Sequence, residues 1–175
     1  MTMEFSRLLR LSNADRRTAD IHADASPAER RAAAERLGVE AVETLKVDGK
    51  LVRLAPGDLY EASGAASLEA TRICIVTLEP FTETTTTDFV ERFTTTPEKA
   101  TPADADLDPD ALDIELADGD VIDFGELALQ YLAMALDPYP RAPDAPDAPP
   151  DAPTAPARRP FADLDRMLKA KRDKD

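Results

Sequence analysis

The sequence predicts an α+β domain: a curved antiparallel sheet with a few helices packed on it, an acidic loop and a proline-rich C-terminal linker. Three observations carry that expectation. Positions 39–94 hold short apolar-alternating runs rich in β-branched and aromatic residues. Strong helix signals within the first 140 residues are confined to two stretches, near 26–37 and 123–136. At 175 residues the chain can bury one sizeable core but is short for two. We therefore place the domain at 1–140 with a flexible acidic loop at 97–112, a Pro/Ala/Asp linker at 141–159 and a short basic helix at 160–175.

Taken in order, Glu4 to Leu11 reads as a short strand, although Phe5, Leu8 and Leu9 satisfy neither period cleanly. SNADRRTADIHAD (12–24) reads as a polar connection. Ser26-Pro27-Ala28-Glu29 then supplies an N-cap, a proline at the first helical position and a capping-box glutamate. This first helix runs to Leu37 through Ala32, Ala33 and Ala34, and Gly38 suits a left-handed C-terminal cap. Val42, Leu45 and Val47, then Leu51, Val52 and Leu54, flank Asp48-Gly49, which predicts a hairpin with a two-residue turn. A Pro56-Gly57-Asp58 loop, a strand from Leu59 to Ala62 and a Ser63-Gly64 turn follow, and Leu68 to Leu78 reads as the central strand. Arg72 falls in phase with Leu68, Ala70, Cys74 and Val76, so it marks a bulge or a functional inward charge, and the bulge is the preferred reading. The threonine-rich FTETTTTDFVERFTTT segment, with Phe81, Phe89 and Phe93, reads as one or two edge strands. Ile114 and Leu116, then Val121-Ile122, surround Asp118-Gly119 as a short hairpin feeding the second helix.

That second helix is the best specified. Phe124, Leu127, Ala128, Tyr131, Leu132, Ala135 and Leu136 form one apolar stripe, Asp123 stands as N-cap, and Glu126 resembles the reciprocal half of a capping box. Pro138 ends it and Tyr139-Pro140 leads away extended. The linker RAPDAPDAPPDAPTAPARRP has no apolar residue larger than alanine to anchor it, and Phe161, Leu164 and Leu168 recover helical spacing beyond it.

Charge is unevenly placed. Residues 1–53 carry 10 basic and 9 acidic side chains, 54–157 carry 4 and 22, and 158–175 carry 7 and 4, for nets of +1, −18 and +3 within a total of −14. A body this acidic repels a phosphate backbone, so nucleic-acid contact belongs to the ends, and a basic protein is the easier partner. The cations available for RNA or partner contact are Arg30, Arg31 and Arg36 of the first helix, Arg72, and the tail residues Arg158, Arg159, Lys169, Lys171 and Arg172. The tail has two open readings, phosphate contact or docking back on the acidic domain. No apolar run is long enough to span a bilayer, and charges occupy the N-terminal stretch where a signal peptide needs its apolar centre. With a single cysteine, these features predict a soluble cytoplasmic protein with no membrane partner.

Signals for chemistry are weak. His22 is the only histidine and reads as an exposed loop residue. Cys74 reads as a small core hydrophobe with nothing to lower its pKa. Asp104, Asp106, Asp108 and Asp110 alternate as in a calcium loop, but Pro109 stands where the EF-hand needs its glycine, so a solvated acidic loop is expected. None of the 6 glycines forms a phosphate-cradling motif, and no nucleophile–base pair is visible. We expect no cofactor, no metal and no enzymatic reaction.

Three ordered segments add a resemblance: IHADASPAERRAAAERLGV near the start, CIVTLEP at Cys74 to Pro80, and IDFGELALQYLAMALDPYPRAP at Ile122 to Pro143, closed by PFADLDRMLK. Together they are similar to the YceD-like family of bacterial and plastid large ribosomal RNA subunit accumulation proteins, covering most of the chain outside the acidic loop and the linker. The DPYPR form resembles alphaproteobacterial members. The matching positions are Glu29 and Arg30, then Cys74, Thr77 and Pro80, then Asp123, Glu126, Leu136, Pro138 and Pro140, and finally Pro160 and Phe161. Some relatives carry a cysteine cluster after the equivalent helix; prolines and aspartates stand there in this chain, so zinc is not carried over. The resemblance implies a role in large-subunit ribosomal RNA accumulation and ribosome assembly, with a ribosomal protein, an assembly intermediate or ribosomal RNA as partner, and no assigned reaction.

Overall fold

The computed structural model describes residues 4–16, 18–54, 57–101 and 113–146. Three long strands form its centre: β3 (Ala41–Arg53), β4 (Leu59–Ile73) and β5 (Pro80–Thr94), each antiparallel to the next. The chain begins with β1 (Leu8–Arg10), a 3-10 turn over Leu11–Arg16, and β2 (Thr18–Asp24), which pairs antiparallel with β3. β6 (Ile114–Leu116) pairs parallel with the end of β5, giving a five-stranded sheet in the order β2-β3-β4-β5-β6. β7 (Val121–Asp123) pairs with β1 in a separate two-stranded sheet. With helices α1 (Pro27–Leu37) and α2 (Phe124–Ala135), this is an α+β domain, and its sheet is open rather than closed into a barrel.

Local sequence specifies both helices. The Ser26 hydroxyl accepts from Glu29 N while the Glu29 carboxylate accepts from Ser26 N, and Gly38 closes α1 at φ 66°. Asp123 caps α2 by accepting from the backbone of Gly125 and Glu126. Glu126 does not complete a capping box; its carboxylate takes Arg36 and Gln130 instead. The buried stripe of α2 includes Leu129 in addition to Phe124, Leu127, Ala128 and Leu132, while Ala135 is exposed.

Several turns expected from composition are interior strand. Asp48-Gly49 and Ser63-Gly64 lie within β3 and β4, where Gly49 and Gly64 are register partners. Both glycines serve close packing. A Cβ at Gly49 would stand 2.7 Å from Phe124 Cε1, and one at Gly64 would stand 2.3 Å from the Asp48 carbonyl oxygen. The bare backbone admits Phe124, which packs edge-on against Phe89 with centroids 6.0 Å apart. β4 also ends at Ile73, earlier than expected, and the 12–24 connection contains the edge strand β2. The only register shift between long strands falls at Val42/Thr44, so the bulge belongs to β3 and Arg72 remains in regular pairing with Phe81. Ile114–Leu116 and Val121–Asp123 enter different sheets, and the turn between them carries an isolated Asp118–Val121 bridge. The threonine-rich segment is a single strand whose outer edge β6 covers only at Arg92–Thr94. Pro97–Lys99 forms a 3-10 turn and Thr101 N bonds Ile114 O at 2.8 Å, so the beginning of the expected acidic loop is ordered. The aspartates at 104–110, most of the linker and the basic C-terminal segment lie outside the described residues.

The core lies on one face of the sheet. Leu45, Val47 and Leu51 of β3, Tyr60, Ala62, Ala66, Leu68 and Ala70 of β4, and Phe89 and Phe93 of β5 are buried there with α2, Phe5 and Leu11. The opposite face is polar, with Lys46, Asp48, Lys50 and Asp88 exposed around Ala65 and Ser67.

Candidate functional site

Arginine–carboxylate clamps tie the motif segments together. The Arg7 guanidinium takes both Glu29 oxygens at 2.6 and 3.0 Å, while Arg7 N and the Ser6 hydroxyl donate to Asp123 at 2.7 and 2.6 Å. One short N-terminal stretch therefore joins the starts of both helices. The bidentate Arg7 contact, aided by Ser26, holds the Glu29 carboxyl down at about 2. Arg36 bridges Glu126, at 2.6 Å to each oxygen, and Glu4 at 2.7 Å, which raises its own pKa. Arg72, with a side chain only 10% exposed, donates to Glu83 and to the Asp137 carbonyl. It is an inward charge held by a carboxylate and by the segment that leaves α2.

The Arg72 clamp supports the point where two motifs meet. Cys74 N donates to Glu79 O and Leu78 N to Cys74 O, each at 2.9 Å, closing a compact β4–β5 connection. Ile75 N donates to Pro140 O at 2.9 Å, so the CIVTLEP and DPYPR segments sit side by side. Cys74 is fully buried, and its Sγ accepts from Val76 N and Thr77 N at 3.4 and 3.5 Å. Donors from Thr77 above all, then Ala142 and Val76, outweigh burial and bring the thiol down to about 7. This corrects the expectation of an unshifted core cysteine: the Thr77 side chain first, and then the backbone amides of Thr77, Ala142 and Val76, lower its pKa without a basic side chain. Leu78 adopts φ 60°, an uncommon conformation for leucine, and is 75% exposed beside Ile75 at 48% and Tyr139 at 69%.

The first-helix arginines do not form a basic face with Arg72. Arg30 donates to the Glu43 carbonyl, and a cavity of about 440 Å³ beside α1 interleaves Arg30 and Arg31 with Glu35, Glu40 and Glu43. Arg36 and Arg72 are paired as described. His22 is exposed on β2 rather than in a loop, and its ring bonds Asp48, which raises its pKa. Leu136 forms the C-cap of α2, and Pro80 opens β5. Pro160, Phe161, Arg158, Arg159, Lys169, Lys171 and Arg172 lie outside the described residues. Sequence reasoning missed Arg7 and Glu83. A lone arginine within the apolar FSRLL stretch was the available signal for Arg7, whereas the Glu83 partnership depends on strand register.

Glu29, Glu83 and Glu126 are engaged by guanidinium groups and Asp123 by backbone amides and a hydroxyl, so these carboxylates hold elements in place. Among the described residues no group of three or more His, Cys, Asp or Glu side chains is placed to hold a metal ion, and no helix is long and apolar enough to cross a membrane.

Fold and site together define an α+β domain with an acidic body and clamped motif loops. Residues 62–164 match the family model described as large ribosomal RNA subunit accumulation protein YceD, and the chain belongs to that family. The matched span runs from within β4 through the Cys74 connection, β5 and α2 to Leu164. Neither a curated protein nor a solved structure matches the chain significantly. The family's name gives the chain a ribosome-related setting.

Proposed function

We propose that this chain is a non-enzymatic cytoplasmic factor that supports accumulation of large-subunit ribosomal RNA and assembly of the large subunit by holding a basic ribosomal protein or assembly partner. The observation that carries this reading is the fate of the arginines. Arg36 and Arg72 are matched to carboxylates of the domain itself and Arg30 to a backbone carbonyl, so among the described residues a strongly acidic body presents no basic face on which these arginines gather for a phosphate chain. Such a surface attracts a cationic protein and steers its approach. The motif residues Glu29, Asp123 and Glu126 hold the scaffold, and Cys74, Thr77, Pro138 and Pro140 shape its exposed loops.

The test is a tagged pull-down from gradient-fractionated cells, with and without ribonuclease and at two salt concentrations. Co-migration with large-subunit precursors that survives ribonuclease supports a protein partner. Loss on ribonuclease with a steep salt dependence assigns the contact to RNA through Arg158, Arg159, Lys169, Lys171 and Arg172. Absence from ribosomal particles under both conditions refutes the proposal.

A further inference from the structure

β5 uses its two edges unequally. It pairs with β4 along its whole length, whereas β6 covers the other edge only at Arg92–Thr94. The Cys74 N to Glu79 O bond sets the phase of the ladder: Phe81, Glu83, Thr85, Thr87, Phe89 and Glu91 turn their backbone groups toward β4. Thr82, Thr84, Thr86, Asp88 and Val90 therefore turn theirs outward, in the same phase as Thr94, whose carbonyl accepts from Ala117 N on the outer side. All five are exposed, and among the described residues no strand lies beyond them. Three of the usual guards against strand addition, a basic residue, a proline and a bulge, are missing from this stretch. Phe81 to Glu91 contains no lysine, arginine or proline, and the β4–β5 register runs without a bulge.

The chemistry beside this edge is acidic. On the solvent face it opens into a depression of about 410 Å³ floored by Ala65 and Ser67, with Asp48 and Asp88 on its rims. Register puts Asp48, Ala65 and Asp88 in one cross-strand row, so the two carboxylates stand about 10 Å apart across a small floor. Asp48 is shared with His22, while Asp88 lies on the open edge itself. On the same face Lys46 and Lys50 flank Asp48 along β3, with Lys46 opposite Ser67 and 3.4 Å from Asp24, so the Asp88 side of the depression carries the free negative charge. Arg72 and Arg92 are engaged by Glu83 and Glu61.

We infer that the free edge of β5, from Thr82 to Val90, takes up an extended basic segment of a protein partner as an added strand, with a lysine or arginine of that segment seated between Asp88 and Asp48. The inference rests on the proposed reading of the chain as a binder of a basic protein and supplies its docking surface. Backbone bonds to the five outward residues give affinity, and the carboxylate-rimmed depression selects a cationic side chain. A second copy fits less well, because it would bring another chain of net charge −14 against the same acidic edge.

The test titrates the full chain with a synthetic peptide of about ten residues in which valine and threonine alternate with lysine and arginine. Hydrogen exchange should slow at Thr82, Thr84, Thr86, Asp88 and Val90 and stay unchanged at the intervening residues already bonded to β4. That alternation marks strand addition, and diffuse charge attraction does not produce it. Thr86→Pro removes an outward N–H without breaking a β4 bond, so it should weaken binding at least about tenfold in a chain with unchanged circular dichroism. Asp88→Lys should do the same by charge reversal. Binding without alternating protection, or full binding by folded Thr86→Pro, overturns the inference. So does protection that appears without peptide and grows with protein concentration, because a second copy then occupies the edge. Failure of the wild-type chain to join ribosomal particles defeats the functional reading, whereas particle association that survives Thr86→Pro defeats this inference alone.

Discussion

Alanine at Gly64 is the sharpest single perturbation of the sheet. Its Cβ would lie 2.3 Å from the Asp48 carbonyl oxygen, 2.7 Å from Gly49 Cα and 2.9 Å from Phe89 Cζ. Two of those three neighbours are backbone, so relief requires β4 to move off β3 by roughly 1 Å in the middle of a continuous ladder. Overpacking of about 1–3 kcal/mol and the weakening of about two ladder bonds at ~1 kcal/mol each give a loss of about 3–5 kcal/mol. For Gly49→Ala the two closest atoms belong to the Phe124 ring, at 2.7 and 2.8 Å, and a side chain can shift more cheaply than a strand. Its cost should be about 1–3 kcal/mol. Urea unfolding followed by circular dichroism measures both, and Gly64→Ala should be the worse by at least about 1 kcal/mol. A Gly64→Ala loss within ~1 kcal/mol of wild type would refute the argument that these glycines exist to let the strands and Phe124 approach.

Other substitutions test the clamps. Asp123→Ala removes the α2 cap together with the acceptor for Arg7 N and Ser6, and should cost about 2–4 kcal/mol in urea unfolding, with Asp123→Asn losing less than half of that because asparagine still caps. Glu29 sits at about 2, below its ordinary value of 4.5, so its stabilisation is complete above pH 4.5 and is lost as pH falls through about 2. Partial exposure keeps that contribution at about 1–2 kcal/mol, and unfolding curves of Arg7→Met against pH should lose most of it, the Ser26 contacts retaining the rest. Arg72→Met leaves the Glu83 carboxylate without its partner and releases the Asp137 carbonyl. It should cost about 1–3 kcal/mol and speed hydrogen exchange at Ile75, whose amide is held by Pro140.

The helices were legible because their signals are local: Ser26-Pro27-Ala28-Glu29, Gly38, Asp123 and Pro138 each act within a turn. The strands misled where turn composition and period disagreed. Asp48-Gly49 has the residues of a tight turn, yet Leu45, Val47 and Leu51 keep one parity across it, and Tyr60, Ala62, Ala66, Leu68 and Ala70 do the same across Ser63-Gly64. Unbroken period-two burial was the stronger physical signal, since a two-residue turn must reverse the chain and a strand need not. The same alternation, Ala19, Ile21 and Ala23 against Asp20, His22 and Asp24, marked β2 inside a segment that looked polar throughout. Pairings such as Leu9 with Ile122 had no local trace, because they depend on where the two sheets carry distant segments.

The inward phase of Arg72 was visible in the sequence, but its meaning was not. A bulge would have turned the guanidinium out to solvent. Regular pairing instead keeps it on the core face near the end of β4, where Glu83 from the neighbouring strand and the Asp137 carbonyl satisfy it. The charge therefore acts as a rivet between the β4–β5 connection and the chain leaving α2. With Arg36 and Arg7 engaged in the same manner, these three arginines hold the domain together, while Asp88 and its neighbours along the free edge of β5 remain turned outward. An acidic domain with several of its arginines engaged by its own carboxylates, and with a stretch of sheet edge left open, is suited to taking hold of something basic and extended. That division of charge is the physical link between the scaffold and the proposed role in large-subunit assembly.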